Sequence, residues 1–154
     1  MFTHILLPVD GSELSLRAAR HGLELARALN ARLTVMTVTT PWATQFSREL
    51  AVVVPDVIVP KGEYDNKKQS IAAGILRNVT ADAQRANVSA KALHCCHRDP
   101  YQAIVDAALH ENCDLIVMGS HGRRGIGGGP LGRETTKVLI HSSIPVLVYR
   151  ETFD

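Results

Sequence analysis

The sequence predicts an α/β fold on a parallel sheet covered by helices on both faces, and two observations carry that expectation. Short apolar runs alternate with longer stretches of helical spacing along the whole chain. Within the runs almost every position is apolar, as in strands buried on both faces, instead of alternating apolar and polar.

The elements follow in order. Phe2 to Val9 (FTHILLPV) is an apolar run that ends on Asp10-Gly11-Ser12, a set of turn and cap residues, so a buried strand leads into a sharp turn. From Glu13, the residues Leu16, Ala19, Leu23 and Ala26 recur at spacings of three and four, marking one face of a helix that ends near Asn30 with Ser12 as its N-cap. Arg32 to Val38 (RLTVMTV) is β-branched and apolar, a second strand. Thr39 to Asp65 is punctuated by Pro41, Pro55, Pro60 and Gly62, yet Ala51 to Val54 and Val57 to Val59 are apolar. It reads as an irregular excursion that packs over the sheet or against a partner.

Helical spacing returns with Ile71, Ile75, Val79 and Ala83, and Ser89 to Cys96 forms a third strand. Asp99-Pro100-Tyr101-Gln102 is a helix start: Asp99 can cap, Pro100 suits the first turn, and Gln102 can reach back to the cap's amide. That helix runs to about Asn112. Asp114 to Gly119 (DLIVMG) is another buried strand, followed by a glycine-rich loop, a short helix from about Gly132 to His141, and a last strand at Pro145 to Tyr149. In such sheets, ligands bind outside the carboxyl ends of the strands, where strand order reverses. Those ends carry Asp10, Val38 and Gly119.

Composition narrows the function. A chain of 154 residues fits one domain, residues 1–154, able to bury roughly 70% of its unfolded surface. With 17 basic against 15 acidic residues the net charge is +2, which gives no support to nucleic-acid binding. No apolar run approaches the roughly 20 residues that cross a bilayer. Met1 to Val9 is too short for an export signal, and three cysteines fit reduced thiols, so a soluble, cytoplasmic protein is expected.

The informative stretch is Val117 to Thr135 (VMGSHGRRGIGGGPLGRET). Glycines let backbone amides approach a ligand, and a helix N-terminus after them adds unpaired N–H groups and partial positive charge. Together they form an anion cradle suited to phosphate, with Arg123, Arg124 and Arg133 adding fixed charge. The alternative is a glycine-rich loop with solvated arginines.

Gly119 and Gly122, with Gly132 nine intervening residues on, resemble the G-x2-G-x9-G nucleotide loop of the universal stress protein family. Leu6 to Ser12 (LLPVDGS), Asp114 to Gly122 (DLIVMGSHG) and Ile144 to Tyr149 (IPVLVY) resemble it too, in order across nearly the whole chain. The resemblance implies a three-layer open sandwich, adenine nucleotide alpha hydrolase-like, with a five-stranded parallel sheet in the order 3-2-1-4-5. It implies an adenine-nucleotide pocket for ATP, ADP or AMP, with magnesium accompanying ATP, and a homodimer through the last strand, Val146 to Tyr149. By position, Pro8, Val9 and Asp10 would line base and ribose, Val38 would pack on the adenine, and Met118 and Gly119 would border the ribose. His121, Gly122 and Arg123 would begin the phosphate loop, and Gly132, Arg133, Glu134 and Thr135 would close it with helix N–H groups. In one place the chain departs from the family pattern. A Ser or Thr should follow the last glycine, and Arg133 stands there. It can clamp phosphate in two-pronged fashion, or swing out and leave a weaker site.

Other motifs are weighed and set aside. Gly127-x-Gly129-x-x-Gly132 matches a dinucleotide fingerprint by letter, but only one helix and one strand remain after it. A P-loop would need Lys and Ser or Thr where Arg133-Glu134 stand. His94-Cys95-Cys96-His97 alternates faces on a strand, so four ligands cannot converge, and no metal site is expected. Ser120 beside His121 is not read as nucleophile and base, because adjacent residues rarely aim at each other. Asp10 could orient water or magnesium, or serve only as a charge at a helix N-terminus. No second carboxylate or lysine goes with it, so efficient phosphoryl transfer lacks its parts and no catalytic residue is assigned. The expectation is a nucleotide-binding regulator of stress or energy response. The alternatives are a slow ATPase or nucleotide hydrolase, and a nucleotide-free interaction protein that recruits a partner.

Overall fold

The computed structural model describes residues 1–45, 59–121 and 131–151. Strands β1 (His4–Pro8), β2 (Arg32–Thr39), β3 (Ala90–Cys96), β4 (Leu115–Gly119) and β5 (Val146–Tyr149) form a parallel sheet in the order β3-β2-β1-β4-β5. Helices α1 (Glu13–Leu29), α2 (Trp42–Gln45), α3 (Lys61–Arg85), α4 (Pro100–His110) and α5 (Arg133–His141) connect or follow them. The expected fold class and strand order are both present.

Strand parity sorts the core into two layers. Ile5, Leu7, Val9, Leu33, Val35, Leu115 and Val117 face α1 and α3, meeting Ala19, Ala26, Leu76, Val79 and Ala83. Leu6, Met36, Ile116 and Met118 face the other way, toward Ala103, Ala107 and Ala108 of α4 and Val138 of α5. Strand order reverses between β1 and β4, the place in such sheets where ligands bind outside the carboxyl ends of the strands.

The first helix starts as expected, with the Ser12 side chain accepting from Ser15 N, and it ends on Asn30 in the left-handed region at φ 54. Gly22 lets it come down on the sheet. A Cβ there would lie 2.3 Å from Leu7 Cδ2 and 3.4 Å from Val117 Cγ1. The close approach offsets the roughly 1 kcal/mol that glycine costs inside a helix.

Two local expectations are corrected. The excursion after β2 does not run to Asp65, because α3 begins at Lys61 and the short α2 precedes it. Pro60 stands at the helix entrance, its carbonyl accepting from Tyr64 N at 2.9 Å, and buried Tyr64 donates its hydroxyl to Thr40 O at 3.0 Å. Trp42 Nε1 donates to Val59 O at 2.7 Å. The apolar residues 51–58 lie outside the described residues, so their packing over the sheet or against a partner is not placed. At α4, Pro100 occupies the first turn, but the Asp99 side chain makes no capping bond and Gln102 Nε2 donates to Asp106 Oδ1 instead. β3 continues through Cys96, and among the described residues no three His, Cys, Asp or Glu side chains gather as a metal site. No helix among the described residues is long and apolar enough to cross a membrane.

A polar cluster is buried at the amino end of the sheet. His4 Nε2 pairs with Thr34 Oγ1 at 2.8 Å, while His4 Nδ1 is buried without a hydrogen-bond partner. Burial, helped by Arg32, lowers the His4 pKa, and the carboxylates of Glu111 and Asp114 pull the other way. Burial also pushes the Cys113 thiol up to about 11. At Asp114, burial raises the carboxyl pKa but is outweighed by donation from His4 N, Thr3 N and Thr3 Oγ1. Unfolded His4 takes up a proton near pH 6.5 and folded His4 only at lower pH. Below about 6.5 the unfolded state therefore binds more protons, and stability falls with pH until the folded pKa is reached. Urea unfolding at pH 7.5 and 5.5 should show this loss, smaller in His4→Phe. Equal slopes for wild type and variant would show that burial of His4 carries no proton linkage.

Candidate functional site

The site is assembled from the carboxyl ends of β1, β2 and β4 and the amino end of α5. Pro8, Val38 and Met118 share the parity of Leu6, Met36 and Ile116, so they lie on the α4/α5 face of three adjacent strands, with Val38 one same-face step beyond Met36, the β2 partner of Pro8. Val38 and Pro8 are half-buried and Met118 is buried.

Past Pro8 the chain stays pinned to β2. Val9 N donates to Met36 O at 2.8 Å, and Thr37 Oγ1 donates to Val9 O at 2.9 Å. Gly11, at φ 81, then makes the sharp turn that the sequence led us to expect. Asp10 Oδ1 accepts from Ser12 N at 2.9 Å, and Asp10 N donates to Ser15 Oγ at 3.3 Å. Its carboxylate is thus folded over the start of α1, the role in which it serves a helix N-terminus.

At the end of β4 the backbone is crowded. Gly119 O accepts from Thr135 Oγ1 at 2.9 Å, Ser120 N donates to Tyr149 O at 2.8 Å, and Ser120 O accepts from Gly132 N at 2.7 Å. A Cβ on Gly132 would lie 3.0 Å from Ser120 O and 3.2 Å from His121 Cα. A side chain at Gly132 would thus need this backbone to give by a few tenths of an ångström, although its φ of -68 suits any residue. Contrary to the sequence reading, Ser120 and His121 do meet, with Oγ 3.1 Å from Nδ1. His121 follows the end of β4, and its Cα lies close to Gly132.

α5 begins at this crowded point. Its N-cap is Gly132, which supplies no side-chain bond, and among the described residues nothing accepts from the amides of Arg133, Glu134 and Thr135. Three unpaired N–H groups and the positive end of the helix dipole stand beside Ser120 and His121. Arg133 is exposed, and among the described residues no carboxylate pairs with it. The side chains of its neighbours are committed elsewhere: Thr135 to Gly119 O, and Glu134 Oε2 to Tyr101 N at 2.8 Å. Sequence reasoning had no signal for the Glu134 contact, which joins residues far apart in the chain. Gly122 and Arg123, also expected in the site, lie outside the described residues. A cleft of about 420 Å³ lined by Arg77, Thr80, Gln84 and Ser89 lies at the opposite end of the sheet, away from these amides.

The model of the universal stress protein family matches residues 1–150. Universal stress protein YxiE of Bacillus subtilis is 29% identical over 151 residues, covering 97% of this chain and 100% of that protein. A universal stress protein of Thermus aquaticus is 32% identical over 158 residues, covering 97% and 100%. The solved structure of MJ0577, a Methanocaldococcus jannaschii protein, superposes with a TM-score of 0.77 at 26% identity, covering 100% of this chain and 99% of that one. Two further structures share the fold. A universal stress protein in complex with cAMP has a TM-score of 0.69 at 24% identity, covering 97% of each chain. One from Archaeoglobus fulgidus in complex with dAMP has a TM-score of 0.60 at 15% identity, covering 96% and 97%.

Proposed function

Because the chain belongs to the universal stress protein family, we propose that it binds an adenine nucleotide at the carboxyl ends of β1, β2 and β4 and acts as a homodimeric, nucleotide-responsive regulator. The observation that carries this reading is the first turn of α5, where three unpartnered amides and Arg133 stand beside the end of β4. Such a turn suits a phosphate. The apolar side chains of Pro8, Val38 and Met118, on one face of the sheet, suit the base, with Val9, Asp10 and Gly119 toward the ribose. His121, Gly122, Arg123 and Gly132 to Thr135 surround the phosphates, and magnesium accompanies a triphosphate. Complexes of same-fold proteins with cAMP and dAMP support the ligand class.

Mass spectrometry of ligand released by heat, followed by calorimetry with AMP, ADP and ATP, tests the reading. A retained adenine nucleotide or micromolar affinity is expected. A chain purified empty, with no affinity at millimolar nucleotide, would instead be an interaction protein. Steady phosphate release from ATP would mark a hydrolase.

The dimer is proposed through β5. It is an edge strand with Leu147 42% exposed, and Leu139 and Ile140 of the preceding helix are exposed as well. Uncovered among the described residues, an edge of this kind invites pairing with a second copy. Sedimentation at micromolar concentration should show twice 16.8 kDa. A monomer alone removes the dimer.

A further inference from the structure

Helix α4 is capped by another helix. The Asp99 side chain makes no capping bond, and Tyr101 N donates to Glu134 Oε2 at 2.8 Å across 33 residues. α5 follows this contact along one face. Lys137 Nζ lies 3.7 Å from Glu134 Oε1 and 5.0 Å from the Tyr101 ring centroid, and the His141 ring lies 5.1 Å from the same ring. Residues 134, 137 and 141 recur at helical spacing, so Tyr101 is gripped by a stripe of α5.

Glu134 therefore serves two helix N-termini at once. Its backbone N–H is one of the three unpartnered amides of α5, while its carboxylate sits on the amide end of α4, where the helix dipole favours negative charge. Left to itself, a carboxylate on the second residue of an anion-binding helix would repel the anion. The α4 amide draws that charge aside and ties the first turn of α5 to a second element, in addition to the bonds from Gly132 N to Ser120 O and from Thr135 Oγ1 to Gly119 O.

We propose that Glu134 is a positioning residue for the nucleotide phosphates: by capping α4 it holds the phosphate-binding turn of α5 in place and turns its own charge away from the ligand. The inference rests on the nucleotide reading above, which uses the Glu134 backbone N–H, and adds a role for its side chain. Charge alone predicts that Glu134→Ala and Glu134→Gln both bind AMP more tightly, and equally so. Positioning predicts that Glu134→Ala weakens AMP about fivefold, the effect of losing one cap, while Glu134→Gln, with an acceptor at the same reach, restores most of the loss. Calorimetry with AMP on the full chain, beside a thermal melt of each variant, reads the difference. Weaker binding in Ala with rescue in Gln supports the proposal. Unchanged or tighter binding in Ala overturns it, even if the melting temperature falls, because the cap would then serve stability alone. If Ala does not fold, Glu134→Asp keeps the charge but shortens the reach, and wild-type affinity in Asp overturns the proposal. A wild-type chain that binds no adenine nucleotide fails the underlying reading and takes this inference with it.

Discussion

Replacing Gly132 by valine is expected to lower adenine-nucleotide affinity by more than about tenfold while leaving the chain folded. A Cβ at this position would stand 3.0 Å from Ser120 O and 3.2 Å from His121 Cα, and both are backbone atoms that cannot rotate aside. The two methyls of valine worsen the contact. The chain can relieve it only by moving the start of α5 away from β4, which also stretches the 2.7 Å bond from Gly132 N to Ser120 O. The amides of Arg133, Glu134 and Thr135 move with it. A hydrogen bond to a charged phosphate contributes about 1.5–3 kcal/mol, so misplacing even one costs roughly one to two decades. Overpacking should cost about 1–3 kcal/mol of stability, which a melt will register. Calorimetry on the folded variant is the check. Wild-type affinity in a well-folded Gly132→Val protein would remove the first turn of α5 from the phosphate site.

Arg133→Ser is expected to weaken AMP and ADP binding by about one to two decades and to shift preference toward ATP with magnesium. Arg133 is the first residue of α5, it is exposed, and among the described residues no carboxylate pairs with it. The nearest acid in sequence, Glu134, is held at Tyr101 N. The guanidinium is thus available to a ligand beside amides poised for phosphate, and a charge-assisted contact there contributes about 1.5–3 kcal/mol. Serine restores the residue type that the family pattern has after the last glycine, and its hydroxyl can serve a distal phosphate or its metal. Affinities for AMP, ADP and magnesium-ATP, measured on both proteins, decide the matter. Three unchanged affinities would make Arg133 a solvated surface charge.

Much of this architecture is legible in the amino-acid order because its causes are local. Strands buried on both faces must be apolar throughout, so FTHILLPV, RLTVMTV and DLIVMG declare themselves. The turn at Gly11 and the cap at Ser12 need particular residue types at fixed offsets, and the structure has both in place. The first turns of α3 escaped notice because Lys61 to Lys68 is mostly charged, with only Tyr64 buried, and that tyrosine answers to Thr40 on another segment. The Asp99 and Gln102 side chains have the letters of a capping box, yet the acceptor that reaches α4 comes from Glu134. Letters describe which bonds a side chain can make, while the fold decides which partner arrives first.

The candidate site divides the same way. Glycine spacing and the helix start at Gly132 belong to the sequence, since backbone freedom and unpaired helix amides are properties of a short stretch. Parity along each strand is also local, so Pro8, Val38 and Met118 each had a determined face. That these three faces belong to one side of one sheet follows from parallel register between β2, β1 and β4, which sets Pro8 beside Met36 and Leu6 beside Ile116. The crowding at Gly132 and the turning of Glu134 toward α4 likewise arose only when α5 was seated against β4 and α4. Hydrogen-bond partners and steric clearances are set by distances between segments remote in sequence, and the tertiary structure alone determines those distances.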